Sequence, residues 1–195
     1  FNAFFKKGVE VKLLIDSWGT SVSISFFNEL ILQGGEVRFF QKIKFFIDFF
    51  TKNHRRNHRK LIIIDDKMTY LGSANIAGHS LNWRESVLRM KSPITKYFKK
   101  IFLEDFDNYN KYVFTKPSLI RLIKFKGFEI IRDVPSHTRQ RIRKRYDWLI
   151  RNAKESVFIE TPYFLPGFLL RKTMIAASKR GVNINIIMPR HSDIG

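Results

Sequence analysis

The sequence contains no cysteine and only 17 acidic residues among 195. Without cysteine the chain can form no disulfide framework and no cysteine-ligated zinc site, which excludes the protein classes built on them. Its 10 glycines and 6 prolines are too scattered for a collagen-like or low-complexity chain. No apolar run approaches the roughly 18–20 residues that span a bilayer, and no signal peptide is visible. Because the chain begins with Phe1 rather than Met, the sequence leaves open whether a membrane anchor precedes it.

The residues that are present favour a folded and strongly basic protein. Hydrophobic residues make up 44% and aromatic residues 15%, so a packed core can form. The length suits one domain, or one domain and part of another. Lysine and arginine number 36, and the net charge is +19. This excess favours anionic partners, either the phosphates of a nucleic acid or phospholipid headgroups, without choosing between them.

An internal repeat relates residues 7–16 to residues 180–189. Each copy predicts the end of a helix, a glycine that stops it, and a buried strand. An aspartate follows each strand, Asp16 in the first copy and Asp193 in the second. Two unrelated helix–glycine–strand units are one interpretation. A duplicated domain whose second copy is cut off at Gly195 is the other.

Local patterns predict alternating strands and helices. The predicted strands are 9–15, 36–40, 60–64, 68–71, 86–90, 128–131, 157–159 and 182–188. One predicted helix ends at residue 7, and the others cover 22–34, 93–112, 136–154 and 166–179. Residues 41–56 form a basic, Phe-rich connection. This alternation predicts an α/β fold with a largely buried sheet. The basic run 139–145 is either a solvated helix face or a contact with anionic lipid.

One segment combines polar groups at a spacing that suits phosphate chemistry. His58 and Lys60 lie two residues apart in a predicted strand, on the same face. A two-residue hairpin loop within Asp65-Asp66-Lys67 would pair His58 with Ser73 or Asn75, so that four polar groups share one patch. An imidazole could attack a phosphoryl group, an ammonium could hold its charge, and hydroxyl and amide groups could bind its oxygens. The alternative is a solvated basic patch over residues 54–60.

These residues fit the pattern H-x-K-x4-D, followed by G-S-x-N, and the sequence thereby resembles the phospholipase D superfamily. Further segments resemble its bacterial cardiolipin synthase branch, namely 14–19, 83–85, 161–166 and 179–182. The resemblance implies a phospholipase D-type α/β fold, with a mixed β-sheet sandwiched between helices. It also implies two tandem domains that share one active site. Residues 1–116 would form the first half without its N-terminal strand and helix, and 117–195 would begin a truncated second half.

The resemblance assigns roles to matching residues. His58 would be the nucleophile or the general acid, and Lys60 would bind the phosphate with support from Ser73 and Asn75. Asp65 belongs to the motif and ranks below His58 and Lys60 as a catalytic residue, since it is usually structural in this family.

The acidic residue that orients the imidazole would be Glu85, where this branch most often has Asp. A salt bridge between Glu85 and Arg84 or Arg89 is the alternative. Glu160 also departs from the family pattern, since it replaces the usual Thr before residues 161–166. The repeat offset between Gly8 and Gly181 is 173 residues, which would place the second H-x-K motif near position 231.

The implied function is a cardiolipin synthase-like phosphatidyltransferase that acts through a phosphatidyl-histidine intermediate. It would need no metal or cofactor, because Lys60 and the polar donors balance the phosphate charge. Its partners would be phosphatidylglycerol-like phospholipids, an anionic membrane surface and the missing second half. It would lie at the bacterial cell membrane, peripherally or through a missing N-terminal anchor, with its site facing the cytoplasm. A phosphodiesterase of nucleic acid and a non-catalytic basic fragment that docks on membranes are the alternatives.

Overall fold

The structure is a computed structural model, and it describes residues 8–40, 56–78, 82–110, 122–133 and 140–190. These residues form short strands and helices. The chain divides into two units, Phe1–Gly127 and Phe128–Gly195. The predicted domain boundary at residues 116 and 117 lies outside the described residues. So do the predicted helix that ends at residue 7 and most of the Phe-rich connection.

The first unit opens with two parallel strands, β1 (Lys12–Asp16) and β2 (Glu36–Phe40). A 3-10 turn (Ile24–Phe27) and helix α1 (Asn28–Leu32) connect them. Gly34 follows the helix with a φ of 89°, which is the left-handed conformation that glycine adopts most readily. This connection brings the end of β1, at Asp16, beside the end of β2.

Charged side chains align the starts of these two strands. Lys12 pairs with Glu36 in the register, and its ammonium contacts the carboxylates of Glu36 and, at 2.7 Å, of Glu10. The hydrogen bonds to Glu10 and Glu36 raise the pKa of Lys12, and the bond from Lys12 lowers the pKa of Glu36. The aligned register places Asp16 opposite Phe40.

An antiparallel sheet follows, made of β3 (Lys60–Ile64), β4 (Met68–Gly72) and β5 (Val87–Lys91). Helix α2 (Thr95–Asp107) packs on one face of it, where the hydroxyls of the buried residues Thr69 and Thr95 are 3.0 Å apart. The buried apolar side chains of this part of the unit are Ile94, Phe98, Ile101 and Phe106. The helix therefore fixes the sheet that begins at Lys60.

The second unit contains a parallel pair, β8 (Ser156–Glu160) and β9 (Asn183–Ile187). Helices α3 (Arg141–Asn152) and α4 (Phe168–Lys179) enclose a small core with these strands, made of Ile150, Met174, Ala177 and Val182. Strand β6 (Leu122–Phe125) ends the first unit, and β7 (Phe128–Ile131) begins the second, after a turn in which Lys126 and Gly127 have positive φ.

The predicted α/β class is confirmed, because both units contain strands and helices. Strand β6 was not predicted, part of the predicted helix 22–34 is a 3-10 turn, and the predicted helix 93–112 ends at Asp107. The predicted glycine stop is confirmed at Gly181, which follows α4 with a φ of 89°. Gly8 has a φ of 71°, and the helix predicted before it lies outside the described residues.

The strands are arranged and buried differently from the largely buried sheet that was predicted. Among the described residues the strands form separate sheets of two or three strands. Several strand side chains are also exposed, including Ile62, Val87 and Phe158. Alternation along the sequence indicates strand type, but strand pairing depends on contacts between distant residues, so it cannot be inferred from that pattern.

Candidate active site

The histidine and the lysine of the motif lie just before β3 and at its first residue. Lys60 is the first residue of the strand and is half-buried, whereas His58 lies two residues before it and is exposed. The Lys60 ammonium donates a hydrogen bond to the backbone carbonyl of His58 at 3.0 Å. The ammonium is therefore held beside the residue that carries the imidazole, where both groups are open to solvent and to an anion.

The sheet register places Glu85 near the same end. Lys60 pairs with Gly72, which also pairs with Val87. Continued two residues past this row, the same register would bring His58, Ala74 and Glu85 to one level of the sheet. Strands lie about 4.8 Å apart, so His58 and Glu85 would then lie on either side of a small alanine. This arrangement is consistent with the predicted role of Glu85 in orienting the imidazole.

The predicted pairing of His58 with Ser73 or Asn75 was wrong by one residue. Asp65 and Asp66 have φ of 51° and 54°, and the Lys67 N–H donates to the Ile64 carbonyl at 3.1 Å. This is a turn with two left-handed residues, which aspartate tolerates better than most. Lys67 adds a third residue before Met68 pairs with Ile64. Ala74 therefore takes the register position opposite His58.

Ser73 and Asn75 flank this position. The Ser73 N–H donates to the Ser86 carbonyl at 3.1 Å, and the Ser73 hydroxyl accepts the Ser86 N–H at 3.2 Å. Ser73 thereby fixes the residue next to Glu85. Asn75 is exposed. Phosphate binding by Ser73 and Asn75 stays a prediction.

The structure does not bring Asp65 to the other site residues. It lies in the turn that follows β3, five residues from Lys60 and so roughly 16 Å away along an extended strand. The neighbouring Asp66 contacts Lys99 of α2 at 2.6 Å. The geometry therefore favours a role in the turn for Asp65, and its catalytic role stays a prediction.

Another chain segment lies directly against Gly72, the glycine of the G-S-x-N part of the motif. A Cβ atom at this position would lie 2.2 Å from the carbonyl oxygen of Ser86 and 2.8 Å from the Cα of Val87. Both are backbone atoms of the adjacent strand segment, so they cannot move aside without disturbing the sheet.

Replacing Gly72 with Ala should therefore destabilise the protein. We expect Gly72→Ala to lower the free energy of unfolding by about 3 kcal/mol, at the upper end of overpacking costs. Gly78→Ala is the matched control, because nothing lies within 4 Å of a Cβ at Gly78. Chemical denaturation of the two variants measures the difference. Equal stability of the two variants would show that β4 and β5 do not lie this close.

Sequence reasoning treated Asp16 as a feature of the repeat and as part of the segment 14–19 that resembles the cardiolipin synthase branch, without giving it a role in the site. In the structure its carboxylate accepts the backbone N–H of Asn57 at 2.7 Å, next to His58. The signal in the sequence was an aspartate directly after a buried strand, but its partner is 41 residues away. Among the described residues, no group of three or more His, Asp or Glu side chains is arranged to hold a metal ion.

An exposed imidazole and an ammonium at one sheet edge, with a carboxylate at the same level, form a site suited to a phosphate ester. The sequence matches the family described as "Cardiolipin synthase, PLD-like domain" over residues 2–106 and 147–195. The chain therefore belongs to the family of phospholipase D-like domains of cardiolipin synthases.

Individual relatives agree with this assignment. The chain is 33% identical over 205 residues to the cardiolipin synthase of Clostridium perfringens strain SM101. It is 30% identical over 201 residues both to cardiolipin synthase 1 of Staphylococcus epidermidis strain RP62A and to the major cardiolipin synthase ClsA of Bacillus subtilis strain 168. Each match covers 96% of this chain but 43%, 41% and 42% of the respective relative. The chain thus spans about two fifths of their length.

Proposed function

We propose that this chain is part of a cardiolipin synthase-like phosphatidyltransferase that acts in phospholipid biosynthesis. The observation that carries the proposal is the position of the Lys60 ammonium, 3.0 Å from the backbone carbonyl of the motif histidine His58. An anionic phosphodiester that contacts the ammonium would lie within reach of the imidazole. Glu85, at the same level of the sheet, would stabilise the imidazolium form.

The proposed reaction has two steps. A ring nitrogen of one histidine attacks the phosphorus of a phosphatidylglycerol-like lipid, and the bond from phosphorus to the glycerol oxygen breaks. A second histidine gives its proton to that oxygen. The free hydroxyl of another lipid then gives its proton to the second histidine, attacks the phosphorus of the phosphatidyl-histidine and forms the product, while the bond from phosphorus to the first histidine breaks. His58 is one of these two histidines, and Lys60 balances the phosphate charge in both steps.

The second histidine belongs to a second half of the same active site. In this proposal residues 1–116 belong to the first of two tandem phospholipase D-type halves, each a mixed sheet between helices, and 117–195 open the second. The duplication is supported by the repeat of a glycine with positive φ before a parallel strand, Gly8 before β1 and Gly181 before β9. His58-Arg59-Lys60 is the one H-x-K pattern in these 195 residues.

The direct test is an assay of phosphatidyl transfer. The full-length protein should convert phosphatidylglycerol vesicles to cardiolipin and glycerol, measured by mass spectrometry. Single-stranded DNA is the competing substrate, because the same motif and a charge of +19 would suit a phosphodiesterase of nucleic acid. Cleavage of DNA without any lipid product would contradict the proposal.

The proposed enzyme acts at the surface of a bacterial membrane, with its site on the cytoplasmic side. The outward face of α3 supports this location, because Arg141, Lys144 and Trp148 lie on the side opposite the buried Ile150 and are exposed. Cations beside an exposed Trp suit an anionic lipid surface. No helix among the described residues has the length and apolar character to cross a bilayer.

Vesicle binding should therefore depend on charge. The protein should bind vesicles that contain phosphatidylglycerol more tightly than neutral vesicles, and salt should weaken the binding. Loss of Arg141 and Lys144 together, as Gln, should weaken it about tenfold or more, since each cation near the surface contributes about 1 kcal/mol.

The matched control removes two exposed cations of the first unit, as Lys91→Gln with Lys100→Gln. Co-sedimentation in a salt series compares the two double variants. An equal loss in both would mean that total charge matters rather than this face of α3. Binding that neither lipid charge nor salt affects would contradict the proposed membrane contact.

A further inference from the structure

We propose that Asp16 is a positioning residue that holds the backbone next to His58 in place for catalysis. The inference rests on the proposed function and adds a residue that contacts neither the substrate nor the imidazole. His58 lies in residues 56–59, which precede β3 and belong to no strand. Their backbone therefore depends on other contacts for its position.

The Asp16 carboxylate supplies such a contact. Its Oδ2 atom accepts the Asn57 N–H at 2.7 Å. Its Oδ1 atom accepts the N–H groups of Trp18 at 2.9 Å and of Gly19 at 3.4 Å. The bonds to Oδ1 fix the orientation of the carboxylate at the end of β1, so that Oδ2 is directed at the chain segment of His58. A hydrogen bond from a backbone N–H to a carboxylate is among the stronger kinds.

Two further contacts fix the loop that carries this carboxylate. The Ser17 hydroxyl donates to the Phe40 carbonyl at 2.9 Å, which ties the loop to the end of β2. The guanidinium of Arg56 lies 4.8 Å from the centre of the Trp18 ring. The loop after β1 therefore contacts both residues that directly precede His58, Arg56 through an aromatic ring and Asn57 through a carboxylate.

The constraint continues past His58. The Asn57 side-chain oxygen accepts the Arg59 N–H at 3.2 Å, and the guanidinium of Arg59 contacts Asp105 of α2. Lys60 then enters the sheet. His58 is thus held on its N-terminal side by β1 and on its C-terminal side by α2 and β3, while its imidazole stays exposed. A displacement of about 1 Å at a reacting group can lower a rate about a hundredfold.

The test uses the full-length protein with Asp16→Asn, Asp16→Ala and the control Asp66→Asn. Asn has the same shape as Asp but a single acceptor oxygen for the two sets of donors, so we expect about a tenfold loss of kcat in Asp16→Asn. Ala has no acceptor, so we expect about a hundredfold loss in Asp16→Ala. KM should stay within about twofold, because Asp16 does not touch the lipid. Asp66→Asn also replaces an aspartate with its isosteric amide, but in the turn at the far end of β3, where Asp66 contacts Lys99 at 2.6 Å, and it should keep the original kcat.

Hydrogen exchange of the Asn57 amide is the second measurement. Exchange should be fastest in Asp16→Ala, intermediate in Asp16→Asn and unchanged in Asp66→Asn, with equal thermal midpoints for Asp16→Asn and the unsubstituted protein. An unchanged kcat in Asp16→Ala, or equal losses in Asp66→Asn and Asp16→Asn, would overturn the inference. If the unsubstituted protein forms no cardiolipin, the proposed function fails instead. The Asn57 exchange rate then tests by itself whether Asp16 holds the Asn57 backbone. Unchanged exchange in Asp16→Ala would refute that contact.

Discussion

Replacing His58 with Ala in the full-length protein should abolish phosphatidyl transfer and leave the fold intact. We expect a loss of at least about a thousandfold in kcat, as for other residues that form or protonate a covalent intermediate. The thermal midpoint should change little, because the His58 side chain is exposed and contributes little to packing. Mass spectrometry of cardiolipin and a thermal melt of the same sample measure the two effects.

Lys67→Ala is the matched control for this variant. It also removes a solvent-exposed side chain from the same hairpin, but at the end away from His58, so it should keep full activity. A labelled phosphatidyl group trapped on the protein separates the two possible roles of His58. Loss of the label in His58→Ala identifies the nucleophile, and a retained label identifies the general acid. Substantial turnover by the folded His58→Ala variant would exclude His58 from the mechanism.

The strands of the site could be predicted from the sequence because their apolar residues are continuous and bounded by polar turns. Residues 60–64 and 68–71 were predicted as strands, and the structure has Lys60–Ile64 and Met68–Gly72. The turn between them was also placed correctly. A strand pattern depends on neighbouring residues, and that information is fully present in the local sequence.

The register could not be predicted, because it depends on the conformation of the turn. Two left-handed aspartates and the extra residue Lys67 shift the pairing by one position relative to a simple two-residue loop. A shift of one residue changes which side chains share a face of a sheet. The predicted pairing of His58 with Ser73 or Asn75 was therefore wrong by one position, although both polar residues lie close to the end of β4.

The contact between Asp16 and Asn57 could not be predicted either. The two residues are 41 positions apart, and no periodic pattern links the end of one strand to the segment before another. Strand β6 is a different case. Lys126 and Gly127 lie between two short apolar segments, which is a recognisable turn signal. That signal was available in the sequence and was not used.

The second large effect concerns the second half of the active site, which in the proposed mechanism carries the second histidine. Residues 1–195 on their own should show no multiple turnover, because nucleophile and general acid must both lie within hydrogen-bond reach of one phosphate. His58-Arg59-Lys60 is the one H-x-K pattern among these residues. Adding a second half that carries its own H-x-K motif should restore activity, since the shared site requires geometry rather than a continuous chain.

The experiment purifies residues 1–195, confirms folding by circular dichroism, and titrates in the second half while cardiolipin formation is measured. Activity should rise and then saturate with the second half. A second half with its motif histidine replaced by Ala should bind equally well and restore nothing. Multiple turnover by monomeric residues 1–195 would contradict the two-half mechanism. Turnover confined to a dimer would modify it, because a two-fold interface would bring two copies of His58 to one phosphate.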